Sequence, residues 1–512
     1  MKATDFGCWS QVEALSNRVL KREPGNAKAL TLRAMVRGMV GKTDEALADC
    51  DQVLSVDPRN ATIFSTRGTI LCNIGEVRAG RKDLKKYLAL TESAQDAGEC
   101  FVRAEAFEDL KDEKSAHKLY EEVVTKTVSA TSDGDILVRG QALYRLKNFK
   151  DAIETLTKLD HLSPIAPALV SVLACCHFKN GDSVNALREF AQVDEQVPNY
   201  IHNLFSWGRS LEEMKRYDEA IQQYARALQV EGRYVPILKH RGHCYLEIKN
   251  YKAALSDLSK AIRLNGDDIQ TILDRAYVYT CLNQQVDAIS DCERAIALDP
   301  ASAQAFNRLG LSKAHTGKWK EAYAALNQSL KLSPDYTEAL TNRSWVEKEL
   351  GDHVKAHADL TKAISLEPLC DNAYYSRGVL FQEEKKYAKS IADFTKAIEI
   401  SPSNSFYLSA RGRSEVGNSS YKQAIEDCTK SIQLDSLSAL PYQWRAEAFL
   451  AIGKCDLALN DLDLIIKRDP SDAEALSLRA KVYQKLNKAP LAARDLSKVK
   501  RLMQSNTNTP HL

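Results

Sequence analysis

A script of small residues returns every 34 positions along this chain, and that period limits the fold more tightly than any other feature. It can be read twice between Arg241 and Pro300. Arg241-Gly242, Tyr245, Ala254 and Ala261-Ile262 are followed 34 residues later by Arg275-Ala276, Tyr279, Ala288 and Ala295-Ile296, with Pro300 closing the unit. A fixed period of this length means one supersecondary unit repeated, each burying its apolar face on the next. We number each unit 1 to 34, with the small residue of the first segment at position 8 and the alanine of the second at position 20. Nine units then run from Ile201 to Asn506 without insertion or deletion.

Position 20 in those nine reads Ala220, Ala254, Ala288, Ala322, Ala356, Ser390, Ala424, Ala458 and Ala492. Position 8 reads Gly208, Gly242, Ala276, Gly310, Ser344, Gly378, Gly412, Ala446 and Ala480. Only small side chains stand there, as expected where two helices approach closely, and enlarging one costs about 1–3 kcal/mol through overpacking. Five looser units precede them, at Ala34/Ala46, Gly68/Gly80, Ala104/Ala116, Gly140/Ala152 and Ala174/Ala186, making fourteen. Proline recurs at position 32, for example Pro58, Pro164, Pro300 and Pro402, and forces the turn between units. Glycine recurs at position 15, as Gly41, Gly75, Gly317 and Gly453, where it caps the first helix. Between these marks the apolar spacing is helical, as in Ile391, Phe394, Ala397 and Ile398, and no strand signal appears. The expected fold class is all-α, an α-solenoid of stacked helix-turn-helix units.

Four segments follow from this register. Residues 1–26 hold a half-repeat, Trp9 to Pro24, expected to cap the array; 27–128 hold three irregular units; 133–506 hold units four to fourteen; 507–512 are a tail. The polar run Thr125–Gly134 is expected to be a loop, and Met503–Leu512 a frayed end.

Composition argues mainly by exclusion. A formal net charge of +2 gives no basic field for nucleic acid. No run of 18 apolar residues suggests a membrane span, and the start carries no secretory h-region. The twelve cysteines are scattered without zinc-type spacing, and Cys50, Cys292 and Cys428 fall at a core position, so a cytosolic chain with reduced thiols is expected, with nuclear or cilium-associated residence as the variants. His353/His357 and His240/His243/Cys244 are the nearest approaches to a metal set, and both lack a convergent third ligand. No phosphate-binding loop, dinucleotide loop or nucleophile elbow occurs. No catalytic residue, metal ligand or cofactor is assigned.

Position 7 carries the most informative irregularity. It is arginine in eleven of fourteen units, and position 23 is aspartate in nine, every one of which has the arginine. Arg241 with Asp257, Arg275 with Asp291, and Arg377 with Asp393 exemplify the pairing. The three units without the arginine hold Leu173, Trp207 and Leu309 opposite Glu189, Gln223 and Ala325. Co-variation within one chain points to a structural arginine–aspartate bridge, either between the two helices of a unit or from one unit to the next, because the planar guanidinium grips a carboxylate with two bonds. Arg103 and Arg139 have no matching aspartate.

These units resemble the tetratricopeptide repeat family over nearly the whole chain. That resemblance implies a right-handed superhelix whose first-helix positions 2, 5, 6, 9, 12 and 13 line a concave groove. The carboxylate clamp of chaperone-binding members is missing: Lys239 is the one lysine at position 5, followed by His243 and then Asp274. Glu105, Glu108, Asp109, Glu212, Glu213 and Glu247 make the earlier groove positions acidic, while Tyr277, Trp345, Tyr375, Phe406, Arg413 and Trp444 give the later ones an aromatic and basic character. Aromatics and arginine are the residues that build binding hot spots. The resemblance therefore implies a non-catalytic scaffold that binds a peptide or helix of a protein partner through those six residues. The alternative is a structural or self-associating subunit of a large assembly, ciliary, cell-cycle or similar, with homo-oligomerisation as its signature.

Overall fold

The computed structural model describes residues 6–92, 96–129, 132–158 and 166–507, leaving aside the side chains of residues 6–11, 166–167 and 505–507. Among them are twenty-nine α-helices and no strand. The seventh unit shows how one repeat is built. Its first helix is Val235–Glu247 and its second Tyr251–Leu264, the latter opened by Asn250, whose side chain accepts from Ala253 N. Lys249, at position 15, takes φ 60° to turn the chain between them. A left-handed lysine is strained by about 1–2 kcal/mol. Lys249→Gly is expected to raise stability by about 0.5–1 kcal/mol after the extra freedom glycine gives the unfolded chain. A thermal-melt midpoint no higher than that of the parent would contradict this.

Small residues at positions 8 and 20 let the helices of a pair touch. A methyl group added at Gly208 would lie 2.4 Å from the Tyr224 ring, and one at Gly378 would lie 2.7 Å from Phe394. Ala220, Ala254, Ala288, Ala322 and Ala356 are fully buried beside them. The core is accordingly a chain of clusters rather than one centre, each drawing on neighbouring repeats.

Two compact units divide the chain, residues 1–298 and 299–512. The helix Phe6–Arg22 opens the first and packs on Ala27–Met39 as the second half of a repeat would. Its Glu13 meets Arg37 at 3.0 Å and Lys42 at 2.9 Å. The loop expected over Thr125–Gly134 is shorter than its composition suggests. Glu113–Lys126 stays helical, with Thr127 Oγ1 donating back to Val123 O, and the next helix starts at Asp133 under a Ser132 cap. Pro164 and residues 508–512 lie outside the described residues, whereas Ala489–Thr507 is helical through the described half of the stretch expected to fray.

The first unit also curls back on itself. Arg233 Nη2 reaches Asp44 Oδ1 at 2.7 Å, and one repeat further on Arg78 Nη2 reaches Asp267 Oδ2 at 3.0 Å, both pairs being 189 residues apart. Gly41 and Gly75 lie where the chain closes on itself. Both have positive φ, 80° and 95°, and an added methyl group would meet Val230 at 2.6 Å in one case and the carbonyl of Leu264 at 2.6 Å in the other. Only glycine satisfies both the turn and the close approach.

Candidate functional site

The arginines of position 7 are fully engaged within the scaffold at nearly every repeat. In all nine arginine–aspartate units Nε donates to one carboxylate oxygen and Nη2 to the other, over 2.5–3.1 Å. The bridge thus ties the two helices of one repeat. In eight of the nine, Nη1 also donates to position 25 of the preceding second helix, over 2.6–3.4 Å: Asn17, Asp51, Ser259, Asn327, Thr361, Thr395, Thr429 and Asp463. One guanidinium therefore joins three helices. The third partner was legible, since position 25 holds a short polar side chain in each case, but its identity varies and pairwise matching passes over it. Arg103 and Arg139, lacking an aspartate, donate instead to backbone carbonyls, Arg103 to Leu88 and Thr91 and Arg139 to Val124.

The six residues expected in the groove fall into separate groups. Tyr277 sits half-buried on Ile269–Cys281 in the first unit. The other five belong to the second unit. Trp345, on Thr337–Glu349, meets the edge of Trp319 at 5.6 Å and His315 at 5.1 Å. Tyr375, on Asp371–Glu383, contacts Tyr407 at 5.0 Å and Phe394 at 5.7 Å. Arg413 lies over Trp444, its guanidinium carbon 4.9 Å from the ring centre. Phe406 is 61% exposed. Trp345, Tyr375 and Arg413 hence spend part of their surface on the scaffold, although Arg413 stays exposed, whereas Phe406 presents most of its ring to solvent.

Acidic groups of the first unit are held by specific partners. Glu105 and Glu108 lie 3.7 and 3.4 Å from Arg145, and Tyr120 donates to Glu108. Burial, reinforced by Asp109 and Glu108, pushes Glu105 up to about 7. His240 and His243 both close on Glu212 at 2.9 Å, and Tyr224 donates to the same carboxylate. Burial alone would raise Glu212, yet the hydrogen bonds from the two histidines bring it down to about 2. His243 is raised in turn, chiefly by its bond to Glu212. In the second unit His357 lies 3.2 Å from Glu384 and stacks near Phe381.

Two buried carboxyl groups escape the pairing logic of the repeats. Position 11 is aromatic in several repeats, and Tyr245, Tyr279 and Tyr483 sit beneath the guanidinium of their own rung. In the tenth and twelfth repeats it is Glu347 and Glu415, 2% and 6% exposed. Each lies near a guanidinium already committed to aspartate, Arg343 at 3.7 Å and Arg411 at 4.0 Å, and each has one oxygen without a hydrogen-bond partner. Burial, with Asp359 or Asp427 beside them, pushes Glu347 up to about 7 and Glu415 up to about 8. A carboxylate at an aromatic position was the available signal.

Family models described as tetratricopeptide repeat match residues 205–269, 287–337, 372–404 and 445–502. Over 55 residues the chain is 42% identical to the FK506-binding protein-like proteins of Rattus norvegicus and Mus musculus, covering 11% of this chain and 16% of each relative. The chain thus spans about a sixth of the length of the curated relatives it matches. Among solved structures, a tetratricopeptide repeat protein from Parabacteroides merdae is 18% identical and covers 48% of this chain and 97% of that one, with a TM-score of 0.45. The APC/C hetero-tetramer Cut9-Hcn1 has a chain 15% identical that covers 90% of this chain and 98% of that one, with a TM-score of 0.46.

Proposed function

This chain is a tetratricopeptide repeat protein, and we propose that it is a non-catalytic scaffold holding a segment of a protein partner along the first-helix face of its second unit. The observation that carries this reading is the exposed Phe406 on the same helix as Arg413, which lies over Trp444, on successive repeats that also bear Tyr375 and Trp345. A large apolar ring left in water, on one helix with an arginine lying on an indole, has the composition of an interface hot spot. Neighbouring polar groups are tied down and supply a rim: Lys348 meets Glu383 at 3.1 Å and Gln443 donates to Glu474 at 3.0 Å. An amphipathic helix or an extended peptide suits a face with apolar anchors set one repeat apart. No described helix is long and apolar enough to cross a membrane.

Phe406→Ala and Arg413→Ala are the discriminating variants, because both side chains are exposed and their loss leaves the core intact. Each is expected to weaken a captured partner by about 1–2 kcal/mol, or roughly tenfold. Affinity capture followed by titration of the recovered partner measures it. Equal yield and equal affinity for parent and variants would defeat the groove reading.

A further inference from the structure

The three-helix rung is incomplete at one place, and a cavity opens there. Arg241 holds Asp257 with Nε at 2.6 Å and Nη2 at 2.8 Å, as every other rung does. Position 25 of the preceding helix, which supplies the acceptor for Nη1 in the eight other rungs, is here Ala225. Among the described residues none accepts from Arg241 Nη1. A cavity of about 350 Å³ lies against it, lined by Ala225, Gln229, Arg241, Ser256, Asp257 and Lys260.

A comparable cavity of about 250 Å³ at Arg343 serves as the internal comparison. There Asn327 fills position 25 and takes the Nη1 bond at 2.7 Å. Lys362, the counterpart of Lys260, is tied to the carbonyl of Pro334 at 2.7 Å and to Asp335 at 3.0 Å. At Arg241 neither the Nη1 N–H nor the Lys260 ammonium has a hydrogen-bond partner among the described residues.

We propose that this cavity, between the helices Tyr217–Val230 and Tyr251–Leu264, is a docking site for an acidic side chain of a partner protein, which supplies in trans the acceptor that Ala225 lacks. The chain itself contains the filled form of the site. At Arg67 and Arg479 the position-25 residues are Asp51 and Asp463, whose carboxylates accept from Nη1 at 2.6 Å. A carboxylate therefore fits an arginine already bidentate to its own aspartate. Charge selects the same class of ligand. Asp257 neutralises Arg241, so Lys260 leaves a single net positive charge, which matches a monoanionic side chain better than a phosphate dianion. The site lies in the first unit and does not depend on the groove residues of the second.

The test uses the full chain labelled with nitrogen-15 at arginine, with acetyl-aspartate N-methylamide as the probe. The expected result is a saturable shift of the Arg241 side-chain signal with none at Arg343. Lys260→Ala should weaken it several-fold and Ala225→Asp should abolish it. Ala225→Asn, which copies Asn17 and Asn327, replaces the latter variant if it does not fold. The asparagine analogue of the probe and inorganic phosphate form the control arms. Equal shifts at Arg241 and Arg343, an unchanged response in the Ala225 variants, or no saturable shift would overturn the proposal. A response to phosphate without one to the aspartate probe would overturn the acidic-side-chain assignment.

Discussion

Asp291→Ala is expected to destabilise the first unit by about 3–5 kcal/mol, because it strands a guanidinium that is mostly out of water. Asp291 is 5% exposed and receives both Nε and Nη2 of Arg275, at 2.8 and 2.7 Å. The remaining contact from Nη1, to Ser259 at 3.4 Å, is too long to compensate. Solenoids lose stability locally, so the effect should concentrate in the helices Ile269–Cys281 and Gln285–Leu298. Hydrogen exchange in those two helices measures it, and protection unchanged from the parent would refute the buried rung. A second variant separates the worth of the pair from the damage of breaking it. Arg275→Leu/Asp291→Ala reproduces the natural combination Leu309/Ala325 of the ninth repeat. It should recover much of the loss, as buried ion pairs replaced by apolar residues commonly do.

Glu415→Gln is expected to act in the opposite direction, and only at high pH. The folded chain holds this carboxyl at about 8 against an ordinary 4.5. Below pH 4.5 the group is protonated whether the chain is folded or not, and the substitution matters little. Between 4.5 and about 8 the unfolded chain releases the proton while the folded chain keeps it, so the parent loses stability as pH rises. Above about 8 the loss is complete. Glutamine keeps the shape without the titration. The variant should thus match the parent near pH 5 and exceed it by about 2–4 kcal/mol at about pH 8, since each tenfold difference in proton affinity between the folded and unfolded chain is worth about 1.4 kcal/mol. Denaturant titrations at the two pH values decide it. An identical difference at both would show that Glu415 is ionised in the folded chain like any surface carboxylate.

Much of the architecture was legible from spacing alone. The alanines of position 20 and the small residues of position 8 placed the helix pairs, since close approach excludes any larger side chain whatever the surroundings. Other features depended on geometry that spacing does not carry. Matching position 7 with position 23 named the rung but could not choose between partners within a repeat and across it; both are used, with different nitrogens of one arginine. The proposed binding face was only half legible. Trp345 and Tyr375 each lean on neighbouring rings and Arg413 lies over Trp444, while Phe406 leaves most of its ring exposed. Helical position fixes the direction of Cα–Cβ, and the rotamer with the next repeat decides where the ring ends.

By itself the sequence determined the all-α class, the 34-residue unit, its turns and the pairing of its charged positions, because all of these are settled by contacts within one repeat or with the next. Only the tertiary structure decided that Asp44 meets Arg233 and Arg78 meets Asp267, 189 residues away. That contact comes from a small rotation per repeat, accumulated over more than five of them, and no local pattern encodes the sum. At Arg241 the missing partner was legible, since Ala225 is the one apolar residue at position 25 before an arginine–aspartate rung, whereas the cavity beside it is set by the tertiary structure.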